Sequence, residues 1–276
     1  VYLPDGRVGF MFGRPRISTN DAMDAGGLRF EVVTPFEALR VDYEGTVCLL
    51  DEPGRMADPR RAFAENPHVP CTIGLDYRGV GPVYGGRPSD DGTSGGDDGF
   101  ARAHYEQHVA ARGTINVGDE AFAVDALGLR DKSWGPRHWQ AIDWYRWIPL
   151  NFDTGFAMAL SKVCRDGTVR DGGVVLSGGL PHPVRAISIA TEWTDELYQR
   201  RVRLGVDTDD GHYDVDGEVV SLIPLRNRRT TPDGESLHTR ITEAMTRFTC
   251  GDRVGWGMTE YLDQLVDGRP LGLDAD

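Results

Sequence analysis

The sequence predicts an all-β chain of consecutive antiparallel strands, and three observations carry that reading. Short stretches alternate apolar and polar residues at period two, each bounded by Gly, Asp or Pro. The 276 residues include 35 glycines and 16 prolines, which suits many turns and few long helices. The clearest unit, from Thr114 to Leu129, alternates on both sides of Gly118-Asp119 in the pattern of a β-hairpin. Single cores stop growing at roughly 250 to 300 residues, so a chain of this length is read as two domains.

Taken in order, Val1 to Arg16 is strand, turn and strand around Pro4-Asp5-Gly6. Leu28 to Val33 and Leu39 to Tyr43 alternate next, with Gly45 read as a turn into Thr46 to Leu50. From Asp51 to Asp98 the chain is rich in Pro, Gly, Asp and Ser and is expected to form one long polar surface loop, spanning 51–99. Phe100 to Val109 is read as a strand entering the hairpin. Beyond Arg137, Trp139, Trp144 and Trp147 supply three of the six tryptophans, and Asp153-Thr154-Gly155 forms a turn. The strands FAMALSKV, RAISIATEW, YQRRVRLGVD, GEVVSLIPL, ITEAMTRFTC and VGWGMTEYL follow.

The two halves echo each other. Gly9-Phe10 corresponds to Gly155-Phe156, Gly118-Asp119 to Gly251-Asp252, and Gly128 to Asp131 to Gly257 to Glu260, all in the same order. The duplication places one domain at 1–137 and the other at 138–276. The aromatic strand before Gly155 has no counterpart before Gly9, so a further strand upstream of Val1 is expected in the first half.

A formal charge of -13 repels phosphate backbones and anionic lipid, which disfavours nucleic acid and membrane surfaces as partners. No apolar run is long enough to span a bilayer. Cys48, Cys71, Cys164 and Cys250 lie far apart with no C-x-x-C pair, and are read as reduced, mostly buried thiols of a cytoplasmic protein without a leader. Nucleotide-binding glycine loops and H-E-x-x-H helices are absent from the sequence. A neutral or weakly polar small molecule is the partner that this charge favours, with a homodimer left open.

The segments Tyr105 to Gln107, Gly113 to Glu120 (GTINVGDE) and Gly128 to Arg137 (GLRDKSWGPR) resemble the AttH-like proteins and hydroxyneurosporene synthase (carotenoid 1,2-hydratase). That resemblance implies two tandem antiparallel lipocalin-like (calycin-type) β-barrels, a hydrophobic isoprenoid- or polyketide-like substrate, and neither cofactor nor metal. One position departs from the pattern: Lys132 stands where relatives commonly carry histidine, in D-H-S-W-G.

Adding water to an alkene, or cyclising one, requires an acid strong enough to protonate carbon and a dry aromatic wall for the cation that follows. Asp131 is the leading candidate acid, helped by Tyr105, His108 and Arg137, in an apolar barrel pocket where burial would keep it protonated. Trp134, Trp144 and Trp147 are candidate walls, each ring worth roughly 0.5 to 2 kcal/mol to a cation. Glu106 and Glu260, the latter at the repeat position of Asp131, complete the candidate substrate contacts. The structural alternative is that Asp131 pairs with Arg137 or caps a turn, that the tryptophans fill a core, and that Glu260 supports its own barrel. His104, Glu106 and His108 share one strand face and have the ligand types of a facial metal triad, against which the resemblance sets an expectation of no metal. The function expected is cofactor-independent hydration, dehydration, isomerisation or cyclisation, with a non-catalytic carrier as the alternative.

Overall fold

Strand pairing, rather than helix packing, organises the chain. The computed structural model describes residues 1–10, 24–25, 27–50, 58–85, 103–135 and 138–274. One antiparallel sheet contains β1 (Val8–Phe10), β2 (Asp24–Ala25), β3 (Leu28–Thr34), β4 (Ala38–Leu50), β5 (His68–Gly79), β6 (Ala103–Val117) and β7 (Glu120–Trp134). Its order is β2-β3-β4-β5-β6-β7, with β1 on β4, so it remains open among the described residues.

The second sheet contains β8 (Trp144–Asp153), β9 (Phe156–Arg165), β10 (Thr168–Ser177), β11 (Leu180–Trp193), β12 (Gln199–Thr208), β13 (His212–Thr230), β14 (Ser236–Cys250) and β15 (Arg253–Val266). Each strand pairs with its neighbour in sequence, and β15 returns to β8, closing an eight-stranded up-and-down barrel. Two tandem lipocalin-like sheets, the second a closed barrel, are therefore the fold. Contacts group Val1–Val80 with His108–Gly128 as one compact unit and Gly81–Gln107 with Leu129–Asp276 as the other. The expected division at residue 137 follows the chain, whereas these units take segments of β6 and β7 into each.

Both expected Gly-Asp turns are present: Gly118 (φ 58°) joins β6 to β7 and Gly251 (φ 61°) joins β14 to β15, a positive φ that glycine adopts without strain. Two expectations are corrected. Gly45 is not a turn, because β4 runs straight through it; the Tyr43 ring lies over the space a side chain would need and donates its hydroxyl to the Thr46 carbonyl at 2.8 Å. Nor is 51–99 one loop. It contains helix α1 (Pro59–Glu65), N-capped by Asp58, whose side chain accepts from the Arg61 N–H, and then β5. Val69, Cys71, Ile73 and Leu75 keep period two through that strand, and its ladder with β6 begins at Cys71, so Pro70 removes no donor from it. The remaining parts of the expected loop lie outside the described residues.

The barrel core is made by the inward positions of every strand, with Ile148, Leu150, Met158, Val206 and Phe248 essentially inaccessible. At the level of Trp144 the lumen also holds Arg146, entirely buried, with Nη1 3.2 Å from both oxygens of Asp263. Arg146 Nη2 donates to the Gly272 carbonyl at 2.6 Å, the Gly272 N–H donates to Asp263 at 2.9 Å, and the guanidinium lies 4.2 Å from the Tyr261 ring centroid. The final 3-10 turn, Leu271–Asp274, is thus fastened to β8 and β15 by one ion pair. Asp263→Ala strands the arginine charge in the lumen and should cost about 3 to 5 kcal/mol, read as a fall in the urea midpoint. An unchanged midpoint would mean that the guanidinium finds water or another anion.

Candidate active site

The same strands carry a second apolar face. On β8, Arg146 and Ile148 point into the barrel, so Tyr145 and Trp147 point out. Outside, Tyr145 packs with Ile142, Ile241 and Leu262, flanked by Trp139, Trp147 and Val163. This outer cluster is one wall of a cavity of about 510 Å³. Tyr84, Gly85, His104, Glu106 and Asp131 form the facing wall, and all of the lining residues belong to the second compact unit. The pocket expected inside a barrel therefore sits against the outside of one, because the lumen is filled by its own side chains.

Polar groups meet there in two sets. On the barrel wall, Glu243 and Glu260 are directly opposed partners of β14 and β15, and Glu260 accepts a short hydrogen bond from the Tyr145 hydroxyl. Burial pushes the Glu243 carboxyl above the usual carboxylate range. Two like charges on facing positions repel, which also favours one neutral member. On the facing wall, His104 Nε2 lies 2.6 Å from Asp131 Oδ1 and 3.2 Å from Glu106 Oε1. Those bonds, Asp131 first, raise the imidazole pKa to about 9, making it a cation at neutral pH. Glu106 is buried, accepts the Trp147 indole N–H at 2.6 Å, and is bridged through its backbone to Tyr84. Burial and then the Glu106 carboxylate hold the Tyr84 phenol far above its ordinary range, so it stays protonated.

Of the residues singled out from the sequence, Glu106, Asp131, Trp147 and Glu260 line this cavity. Asp131 is not enclosed by apolar surface, since 38% of its side chain is exposed and it pairs with His104. Trp144 is inside the barrel under Arg146, and Trp134 is half exposed, edge-on to Tyr105 at 6.2 Å. Tyr105, on the opposite face of β6 from His104 and Glu106, accepts from Arg130 at 2.8 Å. His108 is wholly buried and does not line the cavity, and Arg137 lies outside the described residues. Sequence reasoning missed Glu243, Tyr145, Tyr84 and Trp139. Parity alone separates Trp144 from Trp147 and groups Tyr145 with Trp147, whereas Glu243 has no local signal and is placed by register.

A tandem lipocalin-like protein with an acid-lined cavity on the outer barrel wall is the class that fold and site define. The chain belongs to the family described as a domain of unknown function (DUF7064), whose model matches residues 1–265. No curated protein matches it. Among solved structures it is similar to kievitone hydratase from Nectria haematococca, at 9% identity and TM-score 0.41 over 86% of this chain and 82% of that one. It is also similar to an AttH protein from Nitrosomonas europaea, at 12% identity and TM-score 0.43 over 85% of each chain. The fold assignment rests on the strand pairings. Among the described residues no helix is long and apolar enough to cross a membrane, and all four cysteines are free.

Two pH dependences follow. A Glu243 pKa raised above its unfolded value means that the folded state holds a proton the unfolded state releases, so stability falls as pH rises from about 4.5 towards the folded pKa. Glu243→Gln should therefore raise the urea midpoint at pH 7 and leave it unchanged below pH 4; destabilisation at pH 7 would contradict the burial argument. His104 has the same sign at higher pH. Its pairing stabilises fully below pH 6.5 and is lost as pH rises through about 9, so in EDTA-containing buffer His104→Gln should flatten the decline of Tm across that interval.

Proposed function

We propose that the protein is an acid–base enzyme acting on a hydrophobic small molecule of isoprenoid- or polyketide-like kind, by hydration or dehydration, isomerisation or cyclisation. The observation that carries the reading is the convergence on one cavity of a carboxyl pushed above the usual carboxylate range by burial, Glu243, and a second carboxyl bonded to a phenol, Glu260 with Tyr145. Two carboxyls with environments that differ in this way can divide the labour of acid and base. Glu243 delivers its proton to a substrate carbon or to a departing hydroxyl. Glu260, oriented by Tyr145, takes a proton from the adjacent carbon or from water. Ile241, Leu262, Val163 and Trp139 hold the apolar skeleton and exclude bulk water, which strengthens each electrostatic contact. In this reading Asp131 positions the His104 cation rather than acting as the acid, and Trp147 contacts substrate while holding Glu106.

Glu243→Gln should lower turnover by about 10² to 10⁴ while leaving ligand affinity within a few-fold. The check is mass spectrometry of apolar molecules that copurify with wild type and with the variant from one host. An enzyme leaves the variant holding a molecule that wild type has converted to an isomer, or to a product differing by one water. The same unaltered molecule on both proteins would instead make this a carrier.

A further inference from the structure

On the wall facing Glu243 and Glu260, three side chains from two adjacent strands converge without apolar residues between them. His104 and Glu106 are two residues apart on β6 and therefore share a face, and Asp131 projects from β7 beside them. One donor atom from each lies within 4.8 Å of the other two. We propose that His104 Nε2, Glu106 and Asp131 bind a divalent cation of the zinc class, with its remaining coordination position open to the cavity. This goes beyond the acid–base reading, which assigns its proton transfers to the opposite wall.

The donor set fits a borderline metal: an imidazole with two carboxylates suits Zn²⁺ or Mn²⁺ better than a soft ion, which would want sulfur. Three protein ligands with a fourth position facing open space is the arrangement of catalytic rather than structural zinc. Ligand atoms around tetrahedral zinc stand about 3.3 Å apart at Zn–N and Zn–O bonds of about 2.0 to 2.1 Å. His104 to Glu106 is already 3.2 Å; Asp131, at 2.6 Å from His104 and 38% exposed, has room to withdraw by the difference. Behind the ligands stands a supporting layer. Trp147 donates its indole N–H to Glu106, and two backbone bonds to Tyr84, at 2.8 and 3.0 Å, fix the strand that carries it. The cavity supplies a further carboxylate, Glu260, whereas the charge of Arg146 is committed to Asp263 in the lumen. On binding, the cation takes the place of the hydrogen that now joins His104 to Asp131, and that proton leaves to solvent. His108, the third member of the triad suggested by strand spacing, has no part in it.

The test uses the full chain, dialysed against EDTA and then titrated calorimetrically with ZnCl₂ at pH 7.5. Co²⁺ absorption provides a second readout of ligand geometry. One equivalent is expected to bind, and His104→Gln and Asp131→Asn should each weaken it by more than the roughly 10- to 100-fold that loss of a supporting partner costs. His212→Gln, in the exposed Asp207–His212–Asp214 cluster, serves as the control and should bind as wild type does. Far-UV circular dichroism checks each variant; should His104→Gln fail to fold, Asp131→Asn, at a part-exposed position, decides. No binding, stoichiometric binding that survives Asp131→Asn, or binding lost in His212→Gln would overturn the proposal. Because no substrate enters these measurements, their failure leaves the acid–base reading standing, and loss of turnover in Glu243→Gln leaves the metal site standing.

Discussion

Closure of the second barrel along the β8–β15 seam is the constraint on which the site depends. Tyr261 pairs with Arg146, Asp263 with Trp144 and Glu260 with Trp147, so one register settles both faces of the wall. Inward it brings Arg146 against Asp263 and Tyr261; outward it brings Tyr145 to Glu260. A slip of β15 by one residue would turn Glu260 into the lumen and Asp263 out of it, leaving the Arg146 guanidinium buried without its carboxylate. The buried ion pair therefore acts less as a source of net stability than as a device that penalises every other register.

Lipocalin-like barrels ordinarily offer their interior, and here the interior is spent on packing. The outer wall of β8, β14 and β15 is apolar as well, which is why the tryptophan-rich run of β8 reads as hydrophobic on both faces. Covering that face leaves a cavity with two electrostatic characters. Burial pushes the Glu243 carboxyl above its ordinary range on one wall, while a His104 cation sits between two carboxylates on the other. One small space thus combines a buried carboxyl with a charged cluster.

Asp131 and Glu260 each lie on the strand that follows a Gly-Asp hairpin, and both line the same cavity. The two carboxylates have different partners: a histidine for Asp131, a tyrosine for Glu260. The neighbours on adjoining strands set their chemistry.

By itself the sequence determined the all-β class, the succession of hairpins in the second half, both Gly-Asp turns and which residues of one strand share a face, because period-two alternation and positive-φ glycines are local properties. It also carried β5 as alternating Val69, Cys71, Ile73 and Leu75, though Pro70 and Gly74 disguised the strand as loop. Tertiary structure alone decided that β14 sets Glu243 opposite Glu260, that the barrel's outer wall rather than its lumen bounds the cavity, and that Asp131 meets His104. Those outcomes depend on register between strands distant in sequence and on what covers each face, and neither is encoded in the order of apolar and polar residues along one strand.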